Sequence, residues 1–298
     1  MLSGRASARR GDPRSSSNSG THYHRDVPIA SEVSRSWLLV NAGVEAAFAP
    51  ALASAADEVV LDLEDAVVPG EKEAARRRVV DFLNAGNRAW VRINDASSEF
   101  WSADCRELAG ARGLKGVVLA KTEGGNHVWD TAARLGDIPI VALVETARGL
   151  ARVHDIAEAR PCFRIAFGVN DYTLDIGAAN DPLALAYSRS QLVVASRAAH
   201  LPGPIDGPTR GADELAEAVA LTKQMGMTGK LALAPDQAQA INDGLSPSEA
   251  DVRWAQEFVA QFDDNGGKPA DGSDLPRLHR ATALLAKAEA LGLRGERH

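Results

Sequence analysis

Short apolar runs alternate with longer segments of helical periodicity along most of the chain. The apolar runs predict strands at 37–41, 59–63, 90–94, 117–121, 140–145, 163–168, 205–208 and 231–235. The periodic segments predict helices at 44–55, 71–84, 99–112, 126–135, 147–159, 183–200, 212–226 and 236–243. Eight strands that alternate with eight helices are typical of a (β/α)₈ barrel, an α/β fold also called a TIM barrel.

A doubly wound open sheet is the competing α/β architecture. It would normally carry a glycine-rich phosphate fingerprint after its first strand. The sequence there is Asn41-Ala42-Gly43-Val44, which is not that fingerprint. The pattern therefore favours a barrel over 36–245, preceded by a disordered tail over 1–35 and followed by a helical extension over 246–298.

Three carboxylates crowd the end of the second predicted strand. Val59, Val60 and Leu61 enter the core, and Asp62, Glu64 and Asp65 follow. Clustered acids are unfavourable for folding because like charges repel and lose solvation. Such a cluster indicates a metal ion, a cationic partner or a catalytic role, although a solvated turn that begins a helix remains the alternative.

Further polar side chains stand where the next predicted strands end. They are Arg92, Asn94, Lys121, Glu145 and Asp171. The active site of a barrel enzyme lies at the carboxyl ends of its strands, so these side chains should meet Glu64 and Asp65 at one mouth. Single members of the set have structural alternatives, since an arginine after a strand can cap a helix and Glu145 could pair with Arg148.

An all-oxygen set of this kind suits Mg²⁺ or Mn²⁺ rather than zinc. We expect Glu145 and Asp171 to bind Mg²⁺ directly, and Glu64 and Asp65 to hold metal-bound waters. A divalent ion with open positions can chelate a 2-keto acid and stabilise the enolate that forms when the adjacent C–C bond breaks. Arg92 is placed to bind the developing oxyanion or the substrate carboxylate. These features predict aldol or Claisen cleavage, or its reverse.

A series of motifs in this order resembles the citrate lyase β-subunit-like (CitE-like) branch of the HpcH/HpaI aldolase superfamily. The motifs are LDLEDAV at 61–67 with Lys72 and Arg76, VRIN at 91–94, LVETARG at 143–149, FGVND at 167–171, PIDG at 204–207, GK at 229–230 and GSDLP at 272–276. The resemblance spans about residues 36–292. It implies a Mg²⁺-dependent TIM barrel whose relatives make or cleave 3-hydroxyacyl-CoA thioesters.

The resemblance also implies roles for individual residues. Glu145 and Asp171 correspond to the metal ligands, and Arg92 corresponds to a residue that binds substrate at the metal. Lys121 and Lys72 are further candidates for substrate binding. Relatives specialised for pyruvate aldolase chemistry have a histidine base at the position of Asp65, which makes Asp65 a catalytic candidate together with Arg92 and Asp274. Asp274 corresponds to an aspartate that relatives contribute to a neighbouring subunit's site, where it would act as a general base.

The chain departs from the family pattern where coenzyme A would be bound. Relatives usually have Pro-Gly and then basic residues after strand one. This chain has Asn41-Ala42-Gly43-Val44 there, and Pro50 at a position where a lysine is common. Ala234-Pro235 replaces a histidine-proline pair, and Ala120 replaces a proline. The metal–enolate machinery therefore matches the family better than the coenzyme A contacts do.

Composition narrows the function classes. The 298 residues carry a net charge of −7 without a basic stripe, which argues against nucleic-acid binding. The two cysteines, Cys105 and Cys162, lack a paired spacing and indicate reduced thiols. No apolar run reaches the length of a membrane span, and the first 35 residues lack a secretory h-region. We therefore expect a cytoplasmic protein that binds small molecules.

Two helices are predicted after the barrel, at 247–262 and 275–291. Ser246 or Ser248 would cap the first of them. The second has one apolar face, which covers either the barrel's own helices or another subunit. The second alternative predicts a homo-oligomer, a trimer or hexamer, in which Asp274 completes a neighbour's site.

Three functional hypotheses follow. The first is a Mg²⁺-dependent carbon–carbon lyase that acts on a 3-hydroxyacyl-CoA such as citramalyl-, malyl- or citryl-CoA. The second is a class II pyruvate-type aldolase that acts on a free hydroxy-keto acid. The third is a non-catalytic CitE-like subunit, against which the joint presence of Arg92, Glu145 and Asp171 argues.

Overall fold

Eight parallel strands form a closed barrel in the computed structural model, which describes residues 29–293. The strands pair in chain order, and β8 closes the barrel on β1. They are β1 Ser36–Asn41, β2 Glu58–Asp62, β3 Ala89–Ile93, β4 Leu114–Leu119, β5 Ile140–Val144, β6 Cys162–Phe167, β7 Ile205–Asp206 and β8 Gly229–Ala232. The predicted (β/α)₈ barrel is confirmed.

Helices connect the strands and follow the last of them. They are α1 Phe48–Leu52, α2 Lys72–Asn84, α3 Trp101–Leu108, α4 Gly125–Leu135, α5 Ala147–Ala151, α6 Val153–Glu158, α7 Val169–Ile176, α8 Ala186–Ala198, α9 Leu215–Gln224, α10 Gln237–Leu245, α11 Glu249–Asp264 and α12 Asp274–Ala290. No helix within 29–293 is long and apolar enough to cross a membrane.

The barrel interior is filled by large side chains from alternate positions of the strands. Trp37 and Trp90 lie in its centre with ring centroids 5.0 Å apart, and Phe163 packs 5.6 Å from Trp90. Space for these rings comes from Gly116, where a Cβ would lie 2.2 Å from the indole of Trp90. A second, larger core lies between the outward faces of the strands and the helices. The strands are covered on both faces, which explains their near-continuous apolar sequences.

The structure differs from the predicted elements in three places. Residues 169–176 form α7, which the pattern did not predict, and the predicted helix at 147–159 is divided at Arg152 into α5 and α6. Strand β7 has only two residues. Ser34 and Arg35, at the carboxyl end of the predicted tail, are buried, while residues 1–28 lie outside the described part.

The helical hairpin of α11 and α12 follows the barrel. Ser248, one of the two predicted caps, begins α11 with a capping box in which it and Asp251 bond reciprocally. Arg280 and Arg277 of α12 lie over the Trp254 and Phe258 rings of α11. Lys287 Nζ ties α12 to the barrel by donating to the Leu245 carbonyl at 3.0 Å. Neither the predicted extension at 246–298 nor its role between subunits is tested by these intrachain contacts.

Candidate active site at the carboxyl ends of the strands

The predicted active-site side chains lie together at the carboxyl end of the barrel. Each is carried by a strand or by the segment that follows it: Arg92 by β3, Glu64 and Asp65 by the turn after β2, Lys121 by the turn after β4, Glu145 by the residue after β5, and Asp171 by α7 after β6. Parallel strands place their carboxyl ends at one mouth. Residues separated by about a hundred positions in sequence are thereby brought into contact.

Arg92 is held by a carboxylate of the neighbouring strand. Its Nε and Nη2 donate to Asp62 Oδ1 and Oδ2 at 2.7 and 2.6 Å, a bidentate geometry. The third nitrogen, Nη1, lies 3.1 Å from Glu64 Oε2. Burial disfavours the charged guanidinium, but Asp62, Glu64 and Glu145 together outweigh burial and raise the pKa of Arg92. Arg92 is therefore a fixed cation whose Nη1 is directed to the acid cluster.

Lys121 supplies a second cation to the same cluster. Its ammonium lies 3.0 Å from Glu64, 3.2 Å from Asp171 and 3.9 Å from Asp65. Its backbone N–H donates to Glu145 Oε1 at 2.8 Å. Lys121 has a φ of 44°, in the left-handed region that residues other than glycine seldom occupy. In this backbone conformation, both the amide and the ammonium of Lys121 contact carboxylates of the cluster.

Glu145 is the most deeply buried carboxylate of the predicted metal ligands. Burial and repulsion by Glu64 raise the pKa of Glu145 to about 8, although the Lys121 N–H opposes them. The chain leaves room for Glu145 by having glycine at 168, where a Cβ would come within 2.1 Å of its Oε2. Burial also raises the pKa of Glu64, with Arg92 acting in the opposite direction. Both carboxylates are thus held where their negative charge is poorly solvated.

The donor set fits a divalent cation that prefers oxygen ligands. Glu64 Oε2 is buried and accepts no well-aligned hydrogen bond, despite its closeness to Arg92. Among residues 29–293, no group of three or more histidine, cysteine, aspartate or glutamate side chains is arranged to hold a metal by itself. Mg²⁺ typically takes one or two carboxylates and leaves its other positions to water and substrate. Glu145 and Asp171 suit that requirement, and the ammonium of Lys121, 3.2 Å from Asp171, shows that the space beside Asp171 favours a cation.

Lys72, predicted to bind substrate, is directed into the protein. Its ammonium donates to the carbonyls of Leu63 and Glu64 and to Asn94 Oδ1, each at 2.8 Å. An ammonium has three protons, and all three are used here. A contact between Lys72 and substrate would require one of these bonds to break. In this conformation Lys72 instead holds the turn that carries Glu64.

Asp274 is the first residue of α12, where it stabilises the preceding turn. Its Oδ2 accepts from the backbone N–H of Ala270 at 2.8 Å and of Asp271 at 3.3 Å. Arg277 lies 3.8 Å from its other oxygen. None of the hydrogen bonds or ion pairs described for Asp274 involves the mouth of its own barrel. Its predicted contribution to a neighbouring subunit is untested by this single chain.

Two residues that organise the site, Asp62 and Asp104, were not among the predicted site residues. Asp62 was one of three clustered acids, but its pairing with Arg92 depends on the register in which Asp62 lies beside Arg92. Asp104 lies within a predicted helix and gave no signal of its own. Its partners are Arg76, on another helix, and Asn94, just after a strand. The alternative pairing of Glu145 with Arg148 is not observed, because Arg148 lies 3.6 Å from Glu123.

Comparison with known proteins defines the class to which this barrel belongs. The profile of the HpcH/HpaI aldolase/citrate lyase family matches residues 35–235. The profile of the HpcH/HpaI aldolase C-terminal domain matches residues 250–292. The chain belongs to the HpcH/HpaI aldolase/citrate lyase family, as its motifs suggested.

Two curated relatives and one solved structure resemble most of the chain. The chain is 30% identical over 273 residues to a (3S)-malyl-CoA thioesterase of Cereibacter sphaeroides, covering 86% of this chain and 95% of the relative. It is 27% identical to the L-malyl-CoA/beta-methylmalyl-CoA lyase of Rhodobacter capsulatus, covering 90% and 98%. Among solved structures, CitE of Mycobacterium tuberculosis in complex with magnesium, acetoacetate and coenzyme A matches with a TM-score of 0.73 at 26% identity, covering 87% and 99%.

Proposed function

We propose that this protein is a magnesium-dependent carbon–carbon lyase that acts on a 3-hydroxyacyl-CoA thioester such as malyl-, citramalyl- or citryl-CoA. One observation carries the proposal: Glu64, Asp65 and Asp171 surround the ammonium of Lys121 at the mouth of the barrel, with Arg92 beside Glu64, and Glu145 accepts from the Lys121 backbone N–H. Relatives named for malyl-CoA chemistry and a relative crystallised with magnesium and coenzyme A support the choice of substrate class.

In this proposal Glu145 and Asp171 bind Mg²⁺, and Glu64 and Asp65 orient waters bound to it. When bound, Mg²⁺ supplies a Lewis acid for the oxygens of the substrate. Arg92 uses its Nη1 to bind the substrate carboxylate or the oxygen on which negative charge develops. Asp62 fixes the guanidinium beforehand, so no reorganisation is needed during the reaction. Lys121, which otherwise neutralises the acids, binds an anionic group of the substrate.

A second candidate reaction is hydrolysis of the thioester, favoured by the similarity to a (3S)-malyl-CoA thioesterase. A third is aldol cleavage of a free hydroxy-keto acid, favoured by the turn after β1. That turn, residues 41–47, has no lysine or arginine to contact the phosphates of coenzyme A. All three reactions would use the same acid cluster, so they are distinguished by their products.

Incubation of the protein with Mg²⁺ and separate substrates, followed by mass spectrometry, tests the proposal. Malyl-CoA should yield acetyl-CoA and glyoxylate, whereas a thioesterase would yield malate and free coenzyme A. Free 4-hydroxy-2-keto acids should remain intact. Glu145→Gln is the control that should abolish any genuine turnover. Consumption of the free keto acids alone would select the third reaction, and no turnover of any substrate would refute all three.

We also propose that the protein is a cytoplasmic homo-oligomer, a trimer or hexamer, in which Asp274 acts as the general base in a neighbour's site. Mixing Asp274→Asn with Arg92→Ala should then restore part of the activity, because mixed oligomers contain sites with both native residues. Subunit exchange is verified by native mass spectrometry. Proven exchange without any recovery of activity would leave Asp274 as a residue that stabilises the turn before α12.

A further inference from the structure

A buried chain of hydrogen bonds connects α3 to the turn that carries Glu64 and Asp65. It begins at Asp104, which is fully buried on α3. Asp104 Oδ1 accepts from Arg76 Nε at 2.7 Å, and Oδ2 accepts from the Asn94 backbone and side-chain amides at 3.0 and 2.6 Å. Both carboxylate oxygens are therefore used, and the guanidinium balances the charge.

The chain continues from Asn94 to the active-site turn. Asn94 Nδ2 donates to Asp104, so the amide must present its Oδ1 in the opposite direction, where it accepts from Lys72 Nζ at 2.8 Å. Lys72 then donates to the carbonyls of Leu63 and Glu64. The carboxylate thus sets the orientation of the amide, and the amide sets the position of the ammonium.

We propose that Asp104 is a positioning residue that holds the Glu64–Asp65 turn in place through Asn94 and Lys72. The backbone carbonyl of Glu64 is held by Lys72, whose other two protons are also bonded within the protein. The catalytic consequence of this inference rests on the proposed function. Groups that orient metal-site carboxylates from behind typically change metal affinity or activity by about 10–100-fold when they are removed.

The backbone amide of Val67 reports directly on the turn, because it donates to the Glu64 carbonyl at 3.1 Å. Hydrogen exchange of a peptide containing Val67, measured by mass spectrometry, should be about tenfold faster in Asp104→Asn than in the wild type if the turn loosens by one ordinary hydrogen bond. Titration with MgCl₂ alone, followed by calorimetry, should show about tenfold weaker binding in the same variant.

Asp57 provides a matched control at the opposite end of the barrel. Like Asp104 it is a buried carboxylate that accepts from an arginine Nε, at 2.8 Å from Arg35, and from a backbone N–H, also at 2.8 Å. Asp57→Asn should lower the melting temperature as Asp104→Asn does, but leave Val67 exchange and Mg²⁺ affinity unchanged. Equal behaviour of the two variants in all three measurements would reduce Asp104 to a stabilising residue.

A second variant, which interrupts the series of hydrogen bonds at Asn94, keeps the test decisive if Asp104→Asn fails to fold. Asn94→Ala preserves the Arg76–Asp104 ion pair and removes the amide between Asp104 and Lys72. It should also speed Val67 exchange, and wild-type exchange would overturn the proposal. If the wild type neither binds Mg²⁺ nor cleaves a thioester, the proposed function fails, while Val67 exchange still decides the positioning role.

Discussion

The two ends of the barrel both bury charged side chains, but they balance the charges differently. At the amino end, Arg35 pairs with Asp57 at 2.8 Å and Lys115 contacts Glu58. Each of these two carboxylates has its own cation. Arg164, fully buried nearby, donates to the carbonyls of two connecting segments and to hydroxyl groups. These charged side chains hold loops against the barrel, and their partners within the protein balance their charge and hydrogen bonds without a ligand.

The carboxyl end has more acids than cations. Arg92 uses two of its nitrogens on Asp62, so the remaining acids share its Nη1 and the ammonium of Lys121. The difference teaches that burial of charge does not by itself indicate function. What distinguishes the active site is the excess of carboxylates, which a divalent ion would relieve.

The largest expected effect comes from removing an acid at the carboxyl end. Glu145→Gln and Asp171→Asn should each abolish Mg²⁺ binding and turnover, because each removes one of only two proposed direct ligands. The fold should persist, since each change removes an ionisable acid from a cluster in which like charges repel and burial disfavours the charged form. Calorimetry with MgCl₂ and a thermal melt test both statements. Unchanged Mg²⁺ affinity in both variants would contradict the ligand assignment.

The corresponding change at the amino end should act on stability instead. Asp57→Asn removes the carboxylate of a buried ion pair, and breaking such a pair typically costs about 3–5 kcal/mol. Turnover per folded molecule should be unchanged, because Asp57 lies at the end of the barrel away from the mouth. Urea unfolding and steady-state kinetics measure the two quantities. A large fall in kcat would erase the distinction between the two ends.

Arg92→Lys tests whether the fixed guanidinium does more than balance charge. A lysine keeps the positive charge but cannot form the bidentate pair with Asp62 and still present a third nitrogen. Loss of an oxyanion donor typically costs about 3–4 kcal/mol in transition-state stabilisation, roughly a 100- to 1000-fold loss in rate. Near-normal kcat/KM in the variant would return Arg92 to a purely structural role.

The smallest effect concerns pH and follows from the raised pKa of Glu145, about 8 in the folded protein. An acid whose pKa rises on folding contributes stability that is present below its unfolded pKa and is lost as pH rises through the folded pKa. Relative to Glu145→Gln, the metal-free wild type should lose about 2–3 kcal/mol between pH 5 and 7. Melts of the two proteins across this range provide the measurement. Parallel curves would show that the Glu145 carboxyl does not take up a proton on folding.

The amount that could be predicted from sequence depended on the range of the interactions. The alternation of apolar and polar positions is a local property, and it predicted the barrel and the strand ends that carry Arg92, Glu145 and the Glu64–Asp65 turn. The Ser248 cap is also local, because its partner Asp251 is three residues away. These features depend on backbone geometry that a short window of sequence specifies.

Other features were decided only when distant segments packed together. The pairing of Arg92 with Asp62 spans 30 residues and requires the β2–β3 register. Lys72 carried the expected charge for a substrate contact, but its direction depends on Asn94, 22 residues away, and through it on Asp104. Sequence thus determined which charges reach the mouth of the barrel. Tertiary structure decided which of these charges pair with one another, because a buried charge binds the partner that packing places within hydrogen-bonding distance.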